Sequence, residues 1–154
     1  WLHSLTIPRE LFVQNGKLYQ RPVKELESIR RHERVIEAEG HTFINQETWS
    51  AELLAEQISD QKFSFNFGNV LKISFANNSM VIQRKHWSSE EYDEVRAEIS
   101  VIKNIRVFLD QSTAEIFVNN GEKVFTFKSF FTDDKWVEVE SEKTIRIKIW
   151  RMEV

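Results

Sequence analysis

Residues 104–127 read NIRVFLDQSTAEIFVNNGEKVFTF. Ile105, Val107 and Leu109 alternate with Arg106, Phe108 and Asp110. After a break at Gln111-Ser112-Thr113, Ile116 and Val118 alternate with Glu115, Phe117 and Asn119. Period-two alternation over such lengths marks half-buried strands. A second break follows at Asn119-Asn120-Gly121, where Asn120-Gly121 can supply the positive φ angles of a two-residue hairpin turn. The stretch therefore predicts three short strands joined by two tight turns. In this reading Asp110 caps the first turn at Ser112 through its carboxylate, and Glu115 points outward into water.

The same rhythm continues on both sides. Phe63, Phe65 and Phe67 alternate with Ser64 and Asn66, which puts three aromatics on one strand face. Ile145, Ile147 and Ile149 alternate with Arg146, Lys148 and Trp150 in a strand over 144–150, and 136–139 reads as a separate strand before it. Strands over 70–76 and 80–84 flank Asn77-Asn78-Ser79. Strands over 10–14 and 17–21 flank Asn15-Gly16, a second Asn-Gly hairpin signal. Residues 34–38 and 41–45 read as a strand pair around Glu39-Gly40, and 2–7 and 95–99 as further strands. Val23, Leu26, Ile29 and Arg30 have helical spacing behind Pro22, so 23–31 is expected to be a short helix. Residues 86–93 are polar and loop-like. About a dozen short strands at near-regular spacing predict an all-β fold: a two-sheet antiparallel β-sandwich with at most one short helix.

The chain has 154 residues, which predicts one domain over 1–154 with a real core. Hydrophobic residues make up 41% and aromatics 12%, which excludes a disordered chain. Its four glycines and two prolines leave much of the turn chemistry to Asn. The formal charge of −3 gives no footprint for a polyanion, so no nucleic-acid partner is expected. The densest basic run, Arg30-Arg31-His32-Glu33-Arg34, is diluted by Glu27, Glu37 and Glu39. No run is long enough for a membrane span, and no membrane partner is expected. There are no cysteines, hence no disulfides and no thiolate metal site, which fits a reducing cytoplasm. The chain begins at Trp1 rather than Met and without a leader, and is expected to be a fragment.

A search for chemistry returns little. His3, His32, His41 and His86 are scattered, with no metal-ligand spacing. There is no G-x-S-x-G nucleophile elbow, and Gly16, Gly40, Gly68 and Gly121 are too far apart for a phosphate loop. Asp110 and Glu115 could approach across their turn as paired carboxylates, but local turn capping explains them better. Asn77-Asn78-Ser79 fits a glycosylation sequon and reads as a turn. Trp1, Trp49, Trp87, Trp136 and Trp150 invite sugar stacking, and Trp87, in its polar loop, is the best exposed candidate. No catalytic, cofactor-binding or metal-ligating residue is assigned.

Asp110-x-Ser112-x-x-Glu115-x-Phe117-x-Asn119-x-Gly121-Glu122, with Thr126 beyond, resembles the signature hairpins of the C-terminal β-sandwich of glycoside hydrolase family 32. Near the start, WLHSLTIPREL (1–11), GKLYQRPV (16–23), Glu25-Leu26 and Arg30 resemble the junction where that family's catalytic propeller meets the sandwich. The resemblance covers nearly the whole chain, although 40–87 matches only in its rhythm of strands. It implies a lectin-like sandwich and makes 50–58 a strand, where Ala, Glu and Leu alone would favour helix.

The resemblance implies function too. Family members hydrolyse terminal β-fructofuranosides with retention, using two carboxylates in a five-bladed propeller. The propeller motifs are an Asn-Asp-Pro-Asn-Gly block, an Arg-Asp-Pro block and a Glu-Cys pair. This chain has no Asp-Pro dipeptide and no cysteine. The expectation is a non-catalytic domain whose residues 1–30 form the junction after a missing propeller. Contact would run through 6–30, with Leu11, Leu18, Tyr19 and Val23 as apolar candidates. Bordering the cleft, a homo-oligomer interface and weak carbohydrate contact are further expectations. A cytoplasmic phosphosucrose-cleaving parent is expected over a secreted levanase. A free-standing carbohydrate-binding module is the rival reading.

Overall fold

A computed structural model describes residues 5–154. The twelve strands among them pair antiparallel throughout. Strands β1 (Arg9–Gln14) and β2 (Lys17–Pro22) form a separate two-stranded hairpin. Its turn residues Asn15 and Gly16 have φ of 51° and 74°, the left-handed pair that a two-residue loop requires. The predicted helix over 23–31 is a 3₁₀ turn, Lys24–Ile29. The predicted strand over 2–7 is not seen at 5–7, and its residues 2–4 lie outside the described residues.

The other ten strands form one curled sheet. The long strands β3 (Arg30–Asn45) and β12 (Trp136–Met152) pair along most of their length. Toward its start β12 also pairs with β5 (Phe63–Phe67), from which β6 (Leu71–Ala76), β7 (Ser79–Lys85) and β8 (Tyr92–Glu98) continue. Toward its end β12 pairs with β4 (Ala51–Glu56), then β9 (Ile105–Asp110), β10 (Thr113–Val118) and β11 (Lys123–Lys128). Between these halves the register shifts at Ser141–Ile145, opposite Gly40 with φ 66°. One strand thus serves both layers of the sandwich. The sequence reading split 34–45 at Glu39-Gly40, which looks like a turn, and divided 136–150 into strands over 136–139 and 144–150. In the fold the same glycine marks an irregularity that lets two long strands continue.

The core lies between the halves. Phe63, Phe65, Phe67, Ile73 and Ile82 come from one side, and Leu53, Ile105, Val107 and Ile116 from the other. Val137, Val139, Ile145 and Ile147 of β12 run through both. Each such side chain contributes roughly 1.5–3 kcal/mol on burial. Strand β4 overrides its helical propensity because it sits between β9 and β12 and buries Leu53 and Ala55 in this core.

Candidate functional site

The alternation that defines β9 and β10 leaves Arg106, Phe108, Glu115 and Phe117 on the face away from the core. Solvent would be their usual environment. Phe108, Glu115 and Phe117 are nevertheless buried. The amino-terminal segment is tied to this face. Ile7 N–H donates to Glu115 Oε1 at 2.7 Å, and Arg9 Nη2 donates to Glu115 Oε2 at 2.5 Å and to Thr126 Oγ1 at 2.8 Å. The Arg9 guanidinium also lies 5.3 Å from the Phe117 ring centroid. A carboxylate leaves water only when strong donors replace its hydration, and here a backbone amide and a guanidinium do so.

Beside this pair lies a second carboxylate, Glu52 of β4, fully buried. Arg30 grips it with two hydrogen bonds of 2.8 and 2.7 Å, and Arg106 Nε donates a third at 2.5 Å. Arg30 stacks 4.2 Å from the Trp150 ring, and Arg106 lies 4.9 Å from Phe108. Burial opposes the charge on Arg30, but its hydrogen bond to Glu52 and the charges of Glu52, Glu27 and Glu33 outweigh this and raise its pKa. Arginines sharing one carboxylate over aromatic rings form a polar seam beneath the hairpin. An open cleft of about 710 Å³ runs beside it, with Phe12 and Arg21 on the hairpin side and Leu54, Phe117, Lys148 and Trp150 on the sheet side.

The hairpin meets the sheet elsewhere through backbone. An ideal Cβ on Gly121 would lie 1.7 Å from the Gln20 carbonyl oxygen, so only glycine fits there. Gly121 belongs to a four-residue connection, since Val118 pairs with Lys123. The predicted two-residue turn at Asn120-Gly121 is therefore replaced by a loop with Asn119, Asn120 and Gly121 all at positive φ. Among the turn sites predicted from sequence, the two-residue left-handed pair occurs at Asn15-Gly16 and at Asn77-Asn78, with Ala76 facing Ser79.

Several sequence expectations move. Glu115 does not point into water; Arg9 and Ile7 hold it. Asp110 accepts from the N–H of Gln111 rather than capping at Ser112, and it is exposed. The two carboxylates are engaged separately and form no pair. Leu11 and Leu18 are exposed, as is Val13, which the sequence reading passed over. Tyr19 is half-buried and stacks on Phe12 at 5.2 Å, and Val23 is half-buried with its N–H on Pro8 O. Trp87 is 75% exposed, Trp49 and Trp150 are buried, Trp136 is half-buried, and Trp1 lies outside the described residues. His41 bonds Glu138 and His86 bonds Ser88. His3 also lies outside the described residues. Among the described residues no three His, Asp or Glu side chains gather to hold a metal, and no helix is long and apolar enough to cross a membrane. Sequence reasoning missed Glu52 with its two arginines. The available signal was the large aromatics Phe108 and Phe117 at outward positions, which announce that something covers that face.

The chain is 30% identical over 137 residues to sucrose-6-phosphate hydrolase of Bacillus subtilis, covering 84% of this chain and 29% of that protein. It is 33% identical over 130 residues to sucrose-6-phosphate hydrolase of Salmonella typhimurium, covering 84% and 27%. Among solved structures, sucrose-6-phosphate hydrolase from Lactobacillus gasseri superposes with a TM-score of 0.80 at 20% identity, over 94% of this chain and 33% of that one. A β-fructofuranosidase of Bombyx mori gives 0.77 at 23% identity, over 96% and 32%. These two establish the likeness of fold. The chain thus spans under a third of the sucrose-6-phosphate hydrolases that it matches. Residues 25–151, which hold all but the last residue of the curled sheet and the buried Glu52 cluster, match the family described as glycosyl hydrolases family 32 C terminal, and the chain belongs to it.

Proposed function

We propose that residues 1–154 form one non-catalytic β-sandwich domain of a β-fructofuranosidase of the sucrose-6-phosphate hydrolase kind. The domain packs on a preceding catalytic propeller and stabilises it, and residues 1–30 form the junction. The observation that carries this reading is the β1–β2 hairpin. It precedes the family match at 25–151, yet it is locked to the sandwich by Arg9 and Glu115 and presents Leu11, Val13 and Leu18 outward. A two-stranded hairpin is barely stable alone, so one with an anchored edge and a bare apolar face is suited to a further partner.

The carboxylates support a structural role. Glycoside hydrolysis needs two carboxyl groups reaching one bond, one of them able to give a proton. Glu52 and Glu115 are enclosed and fully engaged by guanidinium and amide donors. Catalysis in this reading belongs to the preceding part. A phosphorylated disaccharide does not cross a bilayer unaided, because burying its charge costs too much. An enzyme of this kind therefore works in the cytoplasm.

The test is direct. Purified chain is incubated with sucrose, sucrose-6-phosphate and inulin, and released fructose is assayed. No release is expected. Turnover that copurifies with the chain and vanishes in Glu115→Gln overturns the reading.

A further inference from the structure

Three loops of the curled sheet converge on a cleft of about 640 Å³ to which the β1–β2 hairpin contributes nothing. They are the β5–β6 connection at Gly68–Val70, the β7–β8 connection around Trp87, and the β11–β12 connection at 129–135. Two large aromatics stand on its walls in contact with water: Trp87 at 75% exposure and Phe130 at 50%. An indole this bare forgoes most of the stabilisation its burial would bring. The Trp87 ring lies 5.9 Å from that of His86 between centroids.

The loops beneath are fixed in place. Trp49 Nε1 donates to the Thr132 carbonyl at 2.8 Å, and the Trp49 ring packs 4.6 Å from Phe131. The same indole sits against Gly68, where an added Cβ would come within 2.9 Å of it. Tyr92 OH donates to the Asn69 carbonyl at 2.6 Å, and Asn66 and Asn69 bond each other through side chain and backbone. The cleft is therefore built before any ligand arrives, which lowers the ordering cost of binding.

We propose that this cleft binds a neutral oligosaccharide, with Trp87 as the stacking platform and Asn69, Thr132 and Asp134 as hydroxyl partners. A sugar ring offers a flat C–H face and a rim of hydroxyls, and this cleft offers an open aromatic face beside amide, hydroxyl and carboxylate groups. The charge favours a neutral ligand. Lys85 is already paired with Glu90 at 2.7 Å, and Asp134 adds a second carboxylate against that one cation. A phosphorylated sugar would meet net negative charge there. The site extends the proposed function and does not depend on it.

The intact protein is labelled with 5-fluorotryptophan, and the Trp87 resonance is identified by its loss in Trp87→Phe. Fructo-oligosaccharides from inulin, raffinose, cellohexaose and sucrose-6-phosphate are titrated, with fructose release assayed on the same samples. At least one neutral probe should move the Trp87 resonance saturably, and more tightly than sucrose-6-phosphate does. By isothermal titration calorimetry, which needs no Trp87 signal, Trp87→Ala and Asp134→Ala should each raise the Kd at least tenfold with an unchanged melting temperature, since both side chains are exposed. A Trp87 resonance that no neutral probe moves, or that only the phosphorylated sugar moves, overturns the proposal. So does an affinity unchanged in Trp87→Ala. Activity and resonance are read separately, so failure of the hydrolase assignment leaves this result intact.

Discussion

Arg9 and Glu115 stand 106 positions apart in the chain and 2.5 Å apart in space. This contact joins the amino-terminal hairpin to the outer face of the sheet. Side-chain exposure is 16% for Arg9 and 5% for Glu115, so water compensates neither if its partner is lost. Arg9→Met should destabilise the chain by about 3–5 kcal/mol, the usual cost of stranding one member of a buried pair. Arg9→Met with Glu115→Leu should recover much of that. Thermal unfolding of the two variants checks this, and hydrogen exchange at Phe12 and Tyr19, which face each other in the hairpin, should accelerate in Arg9→Met alone.

Glu52 is shared by two guanidinium groups at once. Glu52→Ala leaves Arg30 and Arg106 facing each other with no shared anion, and a loss of about 3–5 kcal/mol is expected. Glu52→Gln keeps the shape and one acceptor oxygen and should lose less. Denaturant midpoints order the variants; equal loss from both would show that charge, not volume, is what the site requires.

Gly121→Ala adds a single methyl group 1.7 Å from the Gln20 carbonyl oxygen, at φ 93°. The strain and the displaced backbone together should cost at least about 2 kcal/mol. Gly16→Ala makes a control: its φ is also positive, but no atom lies within 4 Å of the new methyl. The difference in melting temperature between the two variants isolates the contact with β2.

Leu11, Val13 and Leu18 give the chain an exposed apolar face on the hairpin. Expressed alone it should self-associate through this face, and Leu11→Lys with Leu18→Lys should return it to a monomer. Light scattering across a concentration series decides. A wild-type chain that stays monomeric at high concentration would remove the hairpin as a partner surface.

By itself the sequence determined the all-β class, because alternation at 63–67, 105–109, 116–118 and 145–149 is a local property that survives any packing. It determined the left-handed turn at Asn15-Gly16 and a hairpin at Asn77-Asn78-Ser79 for the same reason: the turn conformation belongs to the residues. The motif residues also carried the family, which the match over 25–151 bears out. Tertiary structure decided what no local pattern holds. Whether Gly40 ends a strand or bends one depends on β12 lying opposite it. Whether Glu115 meets water depends on Arg9, over a hundred residues away. The two layers are one sheet because β12 is long enough to pair with β5 and β4 in succession, and only the closed fold brings those strands to it.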